Sequence, residues 1–468
     1  MAVWKERLAD PKACYRPLPF WSWNDQLEDG MMTWQIQEMA KSGAGGYFMH
    51  ARSGIEIEYL GEEWFARIAT GIREGVKNGM LPWAYDEEGW PSGFAGGKVP
   101  ALGEEYYARG LAMTTLKGEK IASFTGGDIS YPDGTTRTVQ LDRTAPDAIL
   151  GIYQIDAQRQ IHRMQVEQID PQQEYAIVFQ TSCPYYIDII NAKVVKACLD
   201  STHEAYYQRF KDQFGTGLGG FFTDEPRISE GDVPWSFIAR EEFEKRYHYD
   251  VVDFLPALFV ECAESGSVRY DFWTMISELF SQNYMKQIYD WCESHGCKLT
   301  GHVMMEESIY SQMTGTSGSM PFYEYMHIPG IDWLRRTQGS PVVPKQVASV
   351  AEQLGKKQVI TETYALCGWN ISFEELRWMA QWQYVCGINL MCQHLSGYTI
   401  RGMRKRDYPP SLFIQQPWWK EYRRFNDYLA RLGVLLTDGK KLIDTLVIHP
   451  MRSGYLLFDG TNNSQLKA

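Results

Sequence analysis

Residues 219–226 read Gly219-Gly220-Phe221-Phe222-Thr223-Asp224-Glu225-Pro226. A short apolar and aromatic run bounded by glycines suits a buried strand, and this one ends on two acids. The same unit recurs along the chain: a short β-rich run, a polar tail, then a helix-length amphipathic stretch. Upstream it appears as Pro19-Phe20-Trp21-Ser22-Trp23-Asn24, followed by a helix from about Gly30 to Lys41. It returns as Gly45-Gly46-Tyr47-Phe48-Met49-His50 with a helix near Glu62 to Lys77, and as Leu81-Pro82-Trp83-Ala84-Tyr85-Asp86-Glu87-Glu88. Downstream, after a long helical stretch to about His295, come Lys298 to Val303, Gly330 to Leu334, Gln358 to Thr363 and Gly387 to Leu395. A last helix covers about Trp418 to Leu432.

Strands alternating with helices predict a parallel sheet, and eight such units predict an α/β fold, a (β/α)8 TIM barrel. The rhythm breaks once. From Glu105 to Ser182 the runs Ala108 to Thr115, Thr138 to Leu141, Ala148 to Ile155 and Tyr175 to Gln180 are β-like, with the turn signal Pro132-Asp133-Gly134 between them. Four segments follow: residues 1–104 as the first part of the barrel, 105–183 as a small all-β insertion after strand three, 184–433 as the rest of the barrel, and 434–468 as the start of a truncated C-terminal domain. The last opens with an apolar strand from Leu442 to His449. Tyr185 to Ile190 is also strand-like, and if it belonged to the barrel the later strands would each shift by one.

The bulk numbers fit. A barrel takes about 250 residues, and 468 leave room for an insertion and a further piece. Hydrophobic residues make up 44%, enough for a large core. A net charge of −12 with no basic block argues against nucleic acid as partner. The nine cysteines are scattered, with no CxxC pair, which reads as reduced thiols. Met1 to Arg16 lacks an apolar signal core and no run of about 18 apolar residues occurs. These features predict a cytoplasmic chain with no membrane partner. Aromatics at 14% suit either a large core or a sugar-stacking cleft.

Active sites of this fold sit at the C-terminal ends of the strands. Those ends carry Trp23 and Asn24, His50 and Arg52, Asp86 and Glu87, Asp224 and Glu225, His302, Glu362 and Tyr364, and Gln393 and His394. Polar groups gathered at one rim suggest chemistry. Cutting a glycosidic bond needs two carboxyl groups, one to protonate the leaving oxygen and one to act as nucleophile or as base on water. Strands four and seven lie across a barrel mouth from each other, so Glu225 and Glu362 are the candidate pair. The plainer role for each is helix capping or an ion pair, Arg227 being a ready partner for Glu225. Candidate substrate-binding residues are Trp21, Trp23, Asn24, His50, Asp86, Glu87, Trp90, Asp224, His302, Tyr364 and His394, with Trp369 a further stacking candidate. Glu306 and Glu307 with Glu324 or Asp86 could supply oxygen ligands to Ca²⁺, although for Glu306-Glu307 a solvated helix start is the better-supported reading.

The motifs Pro19 to Asn24, Gly45 to His50, Tyr85-Asp86-Glu87-Glu88-Gly89-Trp90-Pro91-Ser92-Gly93, Phe222 to Pro226 and Gly301-His302-Val303-Met304 together resemble glycoside hydrolase family 106 and its relatives. The resemblance runs from residue 17 to about residue 400. It implies an inverting α-L-rhamnosidase acting on a terminal sugar, with Glu225 as general acid, Glu362 as the base that activates water, and a calcium ion near the sugar whose ligands it does not assign. The two-carboxyl chemistry itself calls for no cofactor. Family members usually carry β domains after the barrel, a pattern from which a chain ending at Ala468 departs. Three alternatives stay open: a retaining, β-galactosidase-like barrel glycosidase with Glu362 as nucleophile, a carbohydrate-binding protein without catalysis, and a metal-dependent hydrolase using His50 and His302.

Overall fold

The structure is a computed structural model that describes residues 2–130, 136–140, 148–228, 233–439, 441–459 and 466. Strands β1 (Phe20–Trp23), β2 (Gly46–Ala51) and β3 (Leu81–Glu88) begin a parallel sheet. An antiparallel set follows: β4 (Tyr107–Lys117), β5 (Gly126–Ser130), β6 (Thr136–Gln140), β7 (Ile149–Ile155), β8 (Ile161–Arg163) and β9 (Glu174–Ile187). The parallel sheet resumes with β10 (Gly220–Asp224), β12 (Lys298–His302), β13 (Ile328–Trp333), β14 (Ile360–Thr363) and β15 (Leu390–Gln393). After two further residues β16 (Ser396–Gly397) pairs with β1, so the interrupted eighth strand joins the last of the ring to the first. The fold is therefore the expected α/β barrel with extra elements.

Period-two alternation builds it. One residue set points inward: Phe20, Phe48, Trp83, Tyr85, Phe222, Ile328, Ile360, Leu390 and Cys392 pack together inside the ring. Their chain neighbours Trp21, Tyr47, Met49, Ala84, Phe221, Ile331 and Met391 face the larger core under the helices. The helix Glu62–Lys77, for instance, buries Trp64, Phe65, Ile68 and Ile72. Gly301 is required where β10 and β12 cross closely: it has φ +139°, and a Cβ there would lie 1.9 Å from the Thr223 carbonyl oxygen.

Several details differ from the sequence expectation. Tyr185 and Tyr186 extend β9 in the antiparallel sheet, so the barrel numbering does not shift. That sheet also takes an edge strand from beyond β10, β11 (Val233–Trp235), which pairs with β4. Before β10 the helical stretch breaks at Thr202 into Ala192–Ser201 and His203–Phe210. The turn Pro132-Asp133-Gly134 lies outside the described residues. Leu442 to His449 forms no strand: Leu442, Leu446, Val447 and Ile448 are exposed, and no described strand pairs with them. An apolar run without a ladder to join stays irregular. The helix Met451–Leu457 then docks on the barrel, where the Tyr455 hydroxyl donates to the Ser317 carbonyl at 2.7 Å. No helix among the described residues is long and apolar enough to cross a membrane.

Candidate active site

The inward alternation continues past the core at the C-terminal strand ends, where polar residues take the place of the aromatic ones. His50 follows Phe48, Asp224 follows Phe222, Glu362 follows Ile360, and His394 follows Cys392, each two residues on. With Phe20, Arg52, Trp90, Glu225, Glu306, Asp332, Arg335, Leu366 and Tyr408 they line one open cavity of about 610 Å³. Five of the lining residues, Glu225, Met305, Arg335, Leu366 and Tyr408, are non-glycine residues with positive φ between 42° and 72°. Left-handed backbone costs on the order of 1 kcal/mol per residue, and such outliers gather where a side chain must be aimed.

Glu225 stands one residue beyond β10, its backbone N–H donating to the His302 carbonyl at 3.1 Å. The Trp90 indole N–H donates to Glu225 Oε2 at 2.8 Å. Burial, then the charges of Asp224 and Glu362, push the Glu225 carboxyl up to about 7, with His302 and the Trp90 N–H acting the other way. Glu362, buried on β14, is hydrogen-bonded through Oε2 to His302 Nε2 at 2.7 Å. Burial and Asp224 push it to about 7 as well, against the opposing effect of His302. His302 lies 3.4 Å from Asp224 Oδ1. Burial works against its charge, but the Glu362 hydrogen bond and the nearby carboxylates prevail and hold it well above the usual histidine range. The charged form of His302 is thus favoured by its place between Glu362 and Asp224. Asp224 also accepts from the Tyr85 hydroxyl at 2.7 Å.

Of the residues picked from the sequence, the structure brings His50, Trp90, Asp224, Glu225, Glu362 and His394 to the cavity, with His302 buried beneath it. His50 is bonded to the Gly89 carbonyl at 2.9 Å and stacks on Tyr85 at 3.5 Å. The other candidates lie elsewhere. Trp21 and Trp23 point outward by alternation and are fully buried under helices, Trp21 donating to Gln35 at 2.7 Å and Trp23 packing on Trp64. Asn24 exchanges hydrogen bonds with the backbone of Thr399 and fixes the loop after β16. The Tyr364 hydroxyl is buried against the Leu376 carbonyl. Trp369 lies outside the cavity lining.

Asp86 and Glu87 organise a loop and do not line the cavity. Glu87 accepts backbone N–H groups from Glu88, Gly93, Ala95 and Gly96. Asp86 accepts from the Ser92 hydroxyl at 2.6 Å, and Ser92 Oγ in turn accepts the Asp224 N–H at 2.8 Å. Together these bonds shape the Gly89-Trp90-Pro91-Ser92-Gly93 loop and set Trp90 against Glu225.

The sequence reading passed over Asp332 and Arg335 as functional groups and assigned Arg52 no role. Arg52 pairs with Asp407 at 3.0 Å, joining the end of β2 to the loop after β16. The missed signal for Asp332 was the alternation Ile328, Gly330, Asp332, which turns it inward. Among the described residues, one group has metal-ligand types with donor atoms within 4.8 Å of one another: Asp224, His302 and Glu362. It offers one nitrogen and two carboxylate oxygens, short of the six to eight oxygens that Ca²⁺ takes. Glu306 is instead engaged by the Tyr323 hydroxyl and the Asp332 N–H.

Comparison with known proteins agrees with this picture. The profile of a glycoside hydrolase family described as alpha-L-rhamnosidase, family 106, matches residues 161–452. The structure of a rhamnosidase from Novosphingobium sp. PP1Y superposes with a TM-score of 0.67 at 14% identity, over 93% of this chain and 61% of that one, which establishes the shared fold. A putative beta-glucuronidase from Formosa agariphila is 24% identical over 277 residues, 56% of this chain and 22% of that protein. The chain thus spans about a fifth of this curated relative's length and about three fifths of the solved rhamnosidase. Since the profile covers more than half of its length, the chain belongs to glycoside hydrolase family 106.

Proposed function

We propose that the chain is a glycoside hydrolase that removes a terminal sugar, α-L-rhamnose in the leading reading, with Glu225 as general acid and Glu362 as general base. The observation that carries this reading is the contrast between two carboxyl groups on one cavity. Glu362 has the His302 imidazole at 2.7 Å, whose favoured charged form in turn favours ionised Glu362. Glu225 accepts an indole N–H from Trp90 and is raised by Asp224 and Glu362 against the opposing effect of His302, which supports it as the proton donor. Glu362 would take a proton from water as the water oxygen bonds to the anomeric carbon. The glycosidic bond breaks, and the Glu225 proton passes to the leaving oxygen. Unequal surroundings of this kind are how two chemically identical residues divide into acid and base, and the His302 hydrogen bond to Glu362 supports that division here.

The test is a screen of 4-nitrophenyl glycosides, α-L-rhamnoside included, with Glu225→Gln and Glu362→Gln alongside. Turnover of one sugar, lowered about 10²- to 10⁴-fold in each variant, is the expected result. An active wild type with either variant unimpaired overturns the residue assignment. Binding without turnover of any glycoside favours a carbohydrate-binding role. Product configuration by NMR separates inversion from retention. A second reading of the sugar, a β-glucuronide, is favoured by the name of the Formosa relative and by Arg335, which lines the cavity, is exposed, and has no ion pair among the described residues. The same screen includes the glucuronide.

A further inference from the structure

Asp332 and His394 flank Glu362. Strands β13, β14 and β15 are neighbours, with Asp332 in register with Glu362. His394 follows β15, and its backbone N–H donates to the Thr363 carbonyl at 2.9 Å. All three side chains line the cavity. Among the described cavity-lining side chains, these two flanking ones carry buried polar atoms that meet no partner: Asp332 Oδ1 and His394 Nδ1. A buried polar atom left unmatched is costly, and most such atoms are matched. Other acids at the strand ends are engaged, Glu87 by four backbone N–H groups and Glu306 by Tyr323 and the Asp332 N–H.

We propose that Asp332 and His394 are substrate-binding residues that take hydroxyl groups of the sugar lying in front of Glu362. The proposal rests on the glycosidase reading above and deepens it. A hydroxyl both donates and accepts, so it suits neutral partners that can do either. The surroundings of both flanking groups favour their neutral forms. Burial, with Glu362 and Glu225 nearby, holds the Asp332 carboxyl well above its usual range. Burial and then Arg52 hold the His394 imidazole down at about 3, so it is neutral. The strand order sets the span: one contact on each side of the residue that faces the anomeric carbon, and so two different hydroxyls of one ring.

The experiment uses the 4-nitrophenyl glycoside that the wild type turns over fastest, together with its monodeoxy analogues. Wild type, Asp332→Ala, Asp332→Asn and His394→Gln are compared, with circular dichroism to check folding. Asp332→Ala is expected to lower kcat/KM on the parent glycoside about 10- to 100-fold. One monodeoxy analogue should cost the wild type a similar factor and the Ala variant nothing more, while Asp332→Asn, which keeps a donor and an acceptor, recovers part of the loss. His394→Gln should show the same masking on a different analogue. The proposal is overturned if Asp332→Ala matches the wild type on the parent, or if each deoxy analogue penalises variant and wild type equally. Should Asp332→Ala not fold, Asp332→Asn carries the same comparison. A wild type that cleaves no glycoside defeats the glycosidase reading instead. Calorimetric titration with free L-rhamnose and its deoxy forms then decides the present proposal, which falls if the variants keep wild-type affinity.

Discussion

Glu225 and Glu362 illustrate how little an amino acid's identity fixes its chemistry. Both sit where strands end, and both are pushed to about 7, burial being the first cause in each. Because they interact, the pair titrates with macroscopic values that belong to neither residue alone. If Glu225 is the acid and Glu362 the base, as proposed, a bell-shaped kcat/KM profile is expected, its alkaline limb set by loss of the Glu225 proton and its acidic limb by protonation of Glu362. The Trp90 N–H stabilises ionised Glu225, so Trp90→Phe raises that group's pKa and moves the alkaline limb to higher pH. His302 stabilises ionised Glu362, so His302→Gln moves the acidic limb upward as well. Initial rates from pH 4 to pH 9, about the range these limbs need, check both signs. Limbs that stay in place refute the assignment. Their place at strand ends made Glu362 and His394 legible in the sequence, and alternation from the inner core would have made Asp332 so. The pull of His302 on Glu362 was not legible, because it joins residues 60 positions apart.

At the scale of elements, the loop after β3 matters more than its acids suggested. Glu87 reads from the sequence as a sugar ligand, yet it spends its oxygens on four backbone N–H groups. Glu87→Gln sets an amide NH₂ among those donors, so the loop loosens and Trp90 loses its place against Glu225. The expected result is a lower melting temperature together with a lower kcat. A raised KM with unchanged melting temperature would mean that Glu87 contacts sugar after all. Gly301→Ala probes the barrel itself. The added methyl would meet the Thr223 carbonyl at 1.9 Å and force β10 from β12, a destabilisation on the order of 4 kcal/mol or more, readable as a loss of soluble, cooperatively melting protein. Trp21 and Trp23 were misplaced because aromatic residues at a strand end suit a cleft and a core equally well, and only their phase relative to Phe20 separates the two.

Across the whole molecule, buried acids tie stability to pH. Asp86 is held at about 8, Glu306 at about 8, and Glu87, Glu225 and Glu362 at about 7, burial first in every case. Each lies above its unfolded value near 4, so the folded state binds more protons and stability falls as pH rises from that value through the folded pKa. His302, raised by its carboxylate partners, adds stability that is likewise lost with rising pH. His50, His203 and His394 are pushed down by burial and oppose this only at acidic pH, where the unfolded chain would protonate them. Above about pH 7.5, one unit past the unfolded histidine value, they are neutral in both states. The melting temperature should therefore decline from about pH 7.5 to pH 8.5, and Asp86→Asn should flatten part of that decline. A flat or rising melting curve in that window contradicts the account.

The sequence by itself determined the barrel, its eight strands, the insertion after the third and the family, because strand alternation, helix periodicity and motif order are local and survive without coordinates. It also named the two glutamates, since a fold that gathers strand ends makes an acid there conspicuous. Tertiary structure alone decided which rim residues reach the cavity. It turned Asp86, Glu87 and Asn24 into loop supports and Trp21, Trp23 and Tyr364 into core. It left the apolar run from Leu442 to His449 without a strand partner. The physical reason is the same in each case: a polar group or an apolar run is defined by what it meets, and those partners are brought together only when the ring closes.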